Sequence, residues 1–90
     1  MLVLWDEPKR IAKLDKHGLD FARFADEFAF ETAIRIPAQS SRTGRPRFRL
    51  IGELDDELAV VAIVSPLGTE ALALISLRRA SASERDRYGF

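Results

Sequence analysis

Leu2-Val3-Leu4-Trp5 is a short apolar run closed by Asp6, and it reads as a strand. Asp6 is placed to cap a helix, with Glu7 and Pro8 in a first turn that favours an acid and a proline. That helix is expected to run to about Lys16. Ile11 and Leu14, three apart, give it a thin apolar stripe, and Gly18 stands where a left-handed residue would end it. A second helix opens at Asp20, with Leu19 and Phe24 spaced to form a hydrophobic staple. Phe21, Phe24 and Phe28 share a face with Ala25, and that face is expected to be core. Two helices joined by one glycine are expected to fold back as a hairpin and cover one side of a sheet.

The period then changes. Thr32 to Ile36 alternates weakly, Pro46 to Ile51 alternates basic and apolar residues, Leu58 to Val64 is continuously apolar, and Leu72 to Leu77 is apolar again. Four strands in succession predict an antiparallel meander. Its connectors would be a polar loop from Ala38 to Arg45, an acidic hairpin from Glu53 to Glu57, and a turn at Ser65-Pro66-Leu67-Gly68. Ser81 with Glu84 three residues later is a capping-box pattern, opening a short charged helix that ends near Tyr88. The expected class is therefore α+β.

Ninety residues, 47% of them hydrophobic, suit one domain over 1–90 with a modest core. Such a core leaves only about 3–5 kcal/mol of net stability, which makes a tight partner a natural supplement. The absence of cysteine excludes disulfide scaffolds, thiolate nucleophiles and cysteine-ligated zinc. The one histidine, His17, cannot build a multi-histidine metal site, so no metal or cofactor is expected. No apolar run is long enough to span a bilayer, and the expected setting is soluble and cytoplasmic, with no membrane partner.

Fourteen basic and fourteen acidic side chains give zero net charge, yet their distribution is uneven. Arg35, Arg42, Arg45, Arg47 and Arg49 fall between Thr32 and Gly52 without one acidic residue, and Glu53, Asp55, Asp56 and Glu57 follow at once. A local anion-facing patch is compatible with overall neutrality. There is no glycine-rich phosphate loop, no histidine cluster and no basic recognition helix, which argues against kinases, dehydrogenases, metal hydrolases and direct DNA binding.

Trp5-Asp6-Glu7-Pro8-Lys9, then Lys16-His17-Gly18 and Phe21, resembles the N-terminal signature of the BrnT toxins. Arg47-Phe48-Arg49-Leu50-Ile51-Gly52 resembles that family's arginine-bearing strand. Ile75-Ser76-Leu77-Arg78-Arg79-Ala80-Ser81, with Glu84, Arg85 and Tyr88, resembles its C-terminal signature. The ordered set covers nearly the whole chain. The resemblance implies a RelE-like toxin fold, two N-terminal helices on an antiparallel sheet of about four strands with a short C-terminal helix. It also implies RNA cleavage that arrests translation, and neutralisation by a BrnA-like ribbon-helix-helix antitoxin encoded alongside, with operator DNA bound only through the complex. Three positions depart from the family pattern: Pro46 stands where an acid is common, and Leu67 and Ala73 stand near places where arginines are common.

Metal-independent RNA cleavage needs a base for the 2′-hydroxyl proton, a cation for the phosphorane charge, and an acid for the leaving oxygen. Arginine suits the middle task because its planar fork grips phosphate. Lys16, His17, Arg47 and Arg78 are the catalytic candidates, and Arg49, Arg79 and Tyr88 the RNA-binding ones. Each has a structural alternative. His17 can cap the carbonyls of its helix end, and Arg47 and Arg49, expected on one face of one strand, can pair with Glu53, Asp55 or Asp56. Arg78, which would share the parity of Leu74 and Ser76, and Arg79 must point to opposite faces, and either can pair with acids of the last helix. Tyr88 and Trp5 can each stack a base, although Trp5 fits core or partner surface better.

Two functions remain open: a ribonuclease, or a protein of the same fold without nuclease chemistry that acts through protein contacts, which the residues at Leu67 and Ala73 favour. An antitoxin is expected to cover the basic face that RNA would use, through Arg47, Arg49 and Arg78.

Overall fold

The computed structural model describes residues 2–38, 44–55 and 57–90, so Arg42, most of the predicted polar loop and Asp56 lie outside the described residues. Strand β1 spans Leu2–Leu4, helix α1 Glu7–His17 and helix α2 Phe21–Glu27. Strands β2 (Ile34–Pro37), β3 (Phe48–Leu54), β4 (Leu58–Leu67) and β5 (Ala71–Arg79) follow, and helix α3 (Ala82–Tyr88) closes the chain.

The predicted helix signals operate as read. Asp6 is extended, and its carboxylate accepts the Lys9 N–H. Gly18 adopts φ 71° and returns its N–H to Leu14, a conformation that favours glycine. Asp20 caps α2 and Ser81 caps α3 with a complete capping box.

The sheet has five strands in the order β1-β5-β4-β3-β2. Strands β2 to β5 form the expected antiparallel meander, while β1 joins it parallel to β5, so the sheet is mixed. Register assigns the faces. Val60, Ala62 and Val64 of β4 pair with Gly52, Leu50 and Phe48 of β3, and with Val3, Leu72, Leu74 and Leu77 they meet α2. Phe21 and Phe24 of α2 are fully buried there, and Phe28, the residue that ends the helix, stacks on Phe24 with ring centroids 4.5 Å apart.

Four expectations change. Helix α1 buries none of its residues, and Ile11 and Leu14 stay exposed, so of the two N-terminal helices it is α2 that packs its residues into the core side of the sheet. Strand β3 begins at Phe48, leaving Arg47 just ahead of it rather than within it. Ser65, Pro66 and Leu67 belong to β4 instead of a turn, because they pair with Ala73, Leu72 and Ala71. Finally, Ile63 pairs with Ser76 but Val64 pairs with Leu74, so Ile75 is an extra residue, a β-bulge. The bulge reverses parity: Leu74 faces the core while Ser76 and Arg78 face the other side.

Candidate functional site

Three structural events meet at one end of the sheet: β1 stops, β5 bulges and β3 begins. They border an open cleft of about 410 Å³ lined by Leu4, Trp5, Asp6, Lys9, Arg47, Ala73, Leu74 and Ile75. The bulge frees the Ile75 carbonyl from the ladder, and the Lys9 ammonium donates a hydrogen bond to it. Burial, then the positive charges of Lys13 and Arg47, push the Lys9 amine below the ordinary lysine range, against an opposing pull from Asp6.

Arg47 is held by its backbone. The Ser65 hydroxyl donates to the Pro46 carbonyl at 2.8 Å, and the Ala38 N–H donates to the Arg47 carbonyl at 3.2 Å. Ser65 is the buried polar side chain of the described residues, 5% exposed. Trp5 closes the cleft beside Lys9, half-buried, its indole N–H donating to Glu7 at 3.1 Å. A lysine with a lowered pKa, an arginine and an aromatic wall can together accept a proton, grip a phosphate and pack a base.

The sheet face away from α2 carries a second, narrower groove. Ile36, Arg49, Ile51 and Val61 line it from the strands, and Ser83, Glu84, Arg87 and Tyr88 from α3, which lies across this face. The Arg87 guanidinium sits 5.6 Å from the Tyr88 ring centroid. Arg78 forks onto Glu84 at 2.7 and 2.9 Å, and Glu84 also accepts the Ser81 N–H at 2.9 Å. The Arg78 guanidinium, followed by the Ser81 N–H, holds the Glu84 carboxyl down at about 2. Arg79 points the other way, with Glu57, Ala80 and Arg85 around a third depression.

The seven candidates are therefore distributed. Arg47 stands with Lys9, and Arg49 with Tyr88. Arg78 is engaged by Glu84, and Arg79 neighbours Arg85. Lys16 and His17 are exposed on the last turn of α1 and line neither the cleft nor the groove. In the sequence Lys9 stands out only as part of the N-terminal Trp5-to-Lys9 motif and carries no expected role. A signal was present, because a cation in the first helical turn opposes the helix dipole and usually needs another reason to be there. Ser65 gave no such signal, since its acceptor is a backbone carbonyl nineteen positions away in sequence.

Residues 5–84 match the family described as the ribonuclease toxin, BrnT, of type II toxin-antitoxin systems. The crystal structure of the Brucella abortus ribonuclease toxin BrnT is similar, with a TM-score of 0.74 and 42% sequence identity, covering 90% of this chain and 97% of that one. No curated protein matches the chain.

Proposed function

Because the chain belongs to the BrnT family of ribonuclease toxins of type II toxin-antitoxin systems, we propose that it is a metal-independent endoribonuclease, a single-domain toxin of the cytoplasm. On this reading it cuts RNA at the Lys9–Arg47 cleft, arrests translation, and is neutralised by a BrnA-like ribbon-helix-helix antitoxin that alone contacts operator DNA. The observation that carries the reading is the pairing of a depressed lysine with an arginine in one open cleft.

In the proposed reaction the Lys9 amine accepts the 2′-hydroxyl proton and the 2′ oxygen attacks the adjacent phosphorus. Arg47 stabilises the charge that gathers on the phosphoryl oxygens. The bond from phosphorus to the 5′ oxygen breaks, that oxygen takes a proton from solvent, and a 2′,3′-cyclic phosphate remains. Lys13 and Lys16 follow Lys9 by four and seven residues and share its helix face, Lys16 with His17 beside it lying roughly 10 Å along the axis. They are assigned to the RNA backbone, as is Arg79. Arg49 and Tyr88 are assigned to a neighbouring nucleotide, and Arg78 to holding α3 through Glu84.

A second reading, a binding protein without nuclease chemistry, draws on Ala73. It lines the cleft near the place where the family pattern carries an arginine. The two separate on induction without antitoxin, comparing the wild type with Lys9→Met and Arg47→Ala. Growth arrest with new RNA ends in the wild type alone supports the nuclease. A folded wild type that neither arrests growth nor generates RNA ends leaves the binding protein.

A further inference from the structure

Among the described residues, the large hydrophobic side chains left exposed all fall in the first fourteen positions: Leu2 is 59% exposed, Leu4 46%, Ile11 56% and Leu14 37%. Leu2 and Leu4 sit on an edge strand, and the two edges of the sheet, β1 and β2, differ in what they expose.

At the β2 edge, the Ala38 N–H turns inward to Arg47. Alternation then turns Ile34 and Ile36 inward and Arg35 and Pro37 outward. Proline has no N–H, which blunts that edge against further pairing. At the β1 edge, the Leu2 N–H donates inward to the Glu70 carbonyl at 3.0 Å, so the N–H and carbonyl of Val3 point outward. No proline and no charge lies within Leu2–Leu4. The Leu2 and Leu4 side chains lie on the sheet face away from α2, beside Ala71 and Ala73.

Leu4 also lines the cleft of Lys9 and Arg47. The acid that lines this cleft, Asp6, is committed to capping α1 through the Lys9 N–H. An extended segment along β1 therefore meets an outward backbone donor and acceptor, two leucines, and then two cations. We propose that an extended segment of the antitoxin, apolar with a neighbouring carboxylate, adds to the β1 edge, seats its apolar side chains on Leu2 and Leu4, and places the carboxylate between Lys9 and Arg47. This uses strand addition, in which main-chain bonds give affinity and alternate side chains give specificity. It blocks the cleft through Arg47 while leaving Arg49 and Arg78 outside the contact. Ile11 and Leu14 lie on the side of α1 opposite Lys9 and are not part of the surface. The proposal rests on the antitoxin partnership and not on RNA cleavage.

The test is binding of the full-length antitoxin encoded beside the toxin gene, measured by calorimetry on folded full-chain toxin. Leu2→Glu with Leu4→Glu is expected to raise Kd about 30-fold or more, the size of a hot-spot loss. Ile11→Glu with Leu14→Glu is expected to leave it within about threefold. The reverse pattern overturns the proposal. Hydrogen exchange on the wild-type complex needs no variant: the Val3 amide is expected to gain protection, and its continued free exchange in a saturated complex overturns strand addition. Both readouts are independent of whether the toxin cuts RNA.

Discussion

Ser65 and Pro46 are joined across nineteen residues by one hydrogen bond, in which the hydroxyl of β4 donates at 2.8 Å to the carbonyl that precedes Arg47. The bond ties the approach to β3 onto a buried position of the sheet, so the Arg47 guanidinium enters the cleft from an anchored backbone. Ser65→Ala strands that carbonyl, at a cost of about 1 kcal/mol. It is also expected to slow cleavage roughly tenfold, because a loosened arginine stabilises the transition state less. Ser65→Thr retains the oxygen and should restore most of the rate. Melting curves and single-turnover cleavage check both; equal loss in the two variants would reduce Ser65 to a packing role.

Gly52 is required by an aromatic ring rather than by a turn. A Cβ there would lie 2.8 Å from Cζ of Phe28 and 3.2 Å from Cβ of Ala33. Phe28 is itself packed between Phe24 and Phe30, with centroids 4.5 and 5.0 Å away, so it has little room to retreat. Gly52→Ala is expected to cost about 1–3 kcal/mol by overpacking. For a domain of this size that lowers the melting midpoint by roughly 4–8 °C per kcal/mol. An unchanged midpoint would show that the ring cluster yields.

Caps and periods were legible because they act over three or four residues. Asp6, Gly18, Asp20 and the Ser81–Glu84 box work as their sequence spacing implies. Long-range relations were less legible. Ile11 and Leu14 look like a buried stripe, yet Lys9, on the other side of the helix, is what reaches the sheet. Pairing of β1 with β5 joins the two ends of the chain, and no local pattern encodes it. The bulge at Ile75 shifts every later residue of β5 by one, so the alternation from Leu74 to Arg78 is misleading. Arg47 was legible as a phosphate ligand, while Lys9 became visible only through the bulge carbonyl and the neighbouring charges that the fold supplies.

The Arg78–Glu84 fork should appear in the acid stability of α3. The Glu84 carboxyl is lowered to about 2 from an ordinary value of 4.5, so its contribution is present above about 4.5 and is lost as pH falls towards 2. Arg78 is half exposed, which screens the pair. Glu84→Ala is therefore expected to cost only about 1 kcal/mol at neutral pH, ion pair and capping box together. Wild type and variant should converge in stability between pH 4.5 and 2. Denaturation at a series of pH values checks this, and a gap that stays constant to pH 2 would show that the carboxylate charge contributes nothing.

Lys13 tests whether Lys9 is the base. Burial lowers the Lys9 amine first, and the Lys13 charge is the next contribution, ahead of Arg47. If neutral Lys9 takes the 2′-hydroxyl proton, the cleavage rate rises with pH through the folded-state value of that amine, which lies below the ordinary 10.5. Lys13→Met removes a like charge, so Lys9 holds its proton more tightly and the rising limb moves to higher pH. At saturating RNA, where loss of the Lys13 backbone contact does not limit the rate, the rate at neutral pH falls while the high-pH plateau is retained. Lys16→Met, one turn farther along the same face, removes a backbone contact and is expected to weaken RNA binding with the limb left in place. A complete pH–rate profile for the three proteins distinguishes these outcomes, and a limb that stays fixed in Lys13→Met would assign the proton transfer to another group.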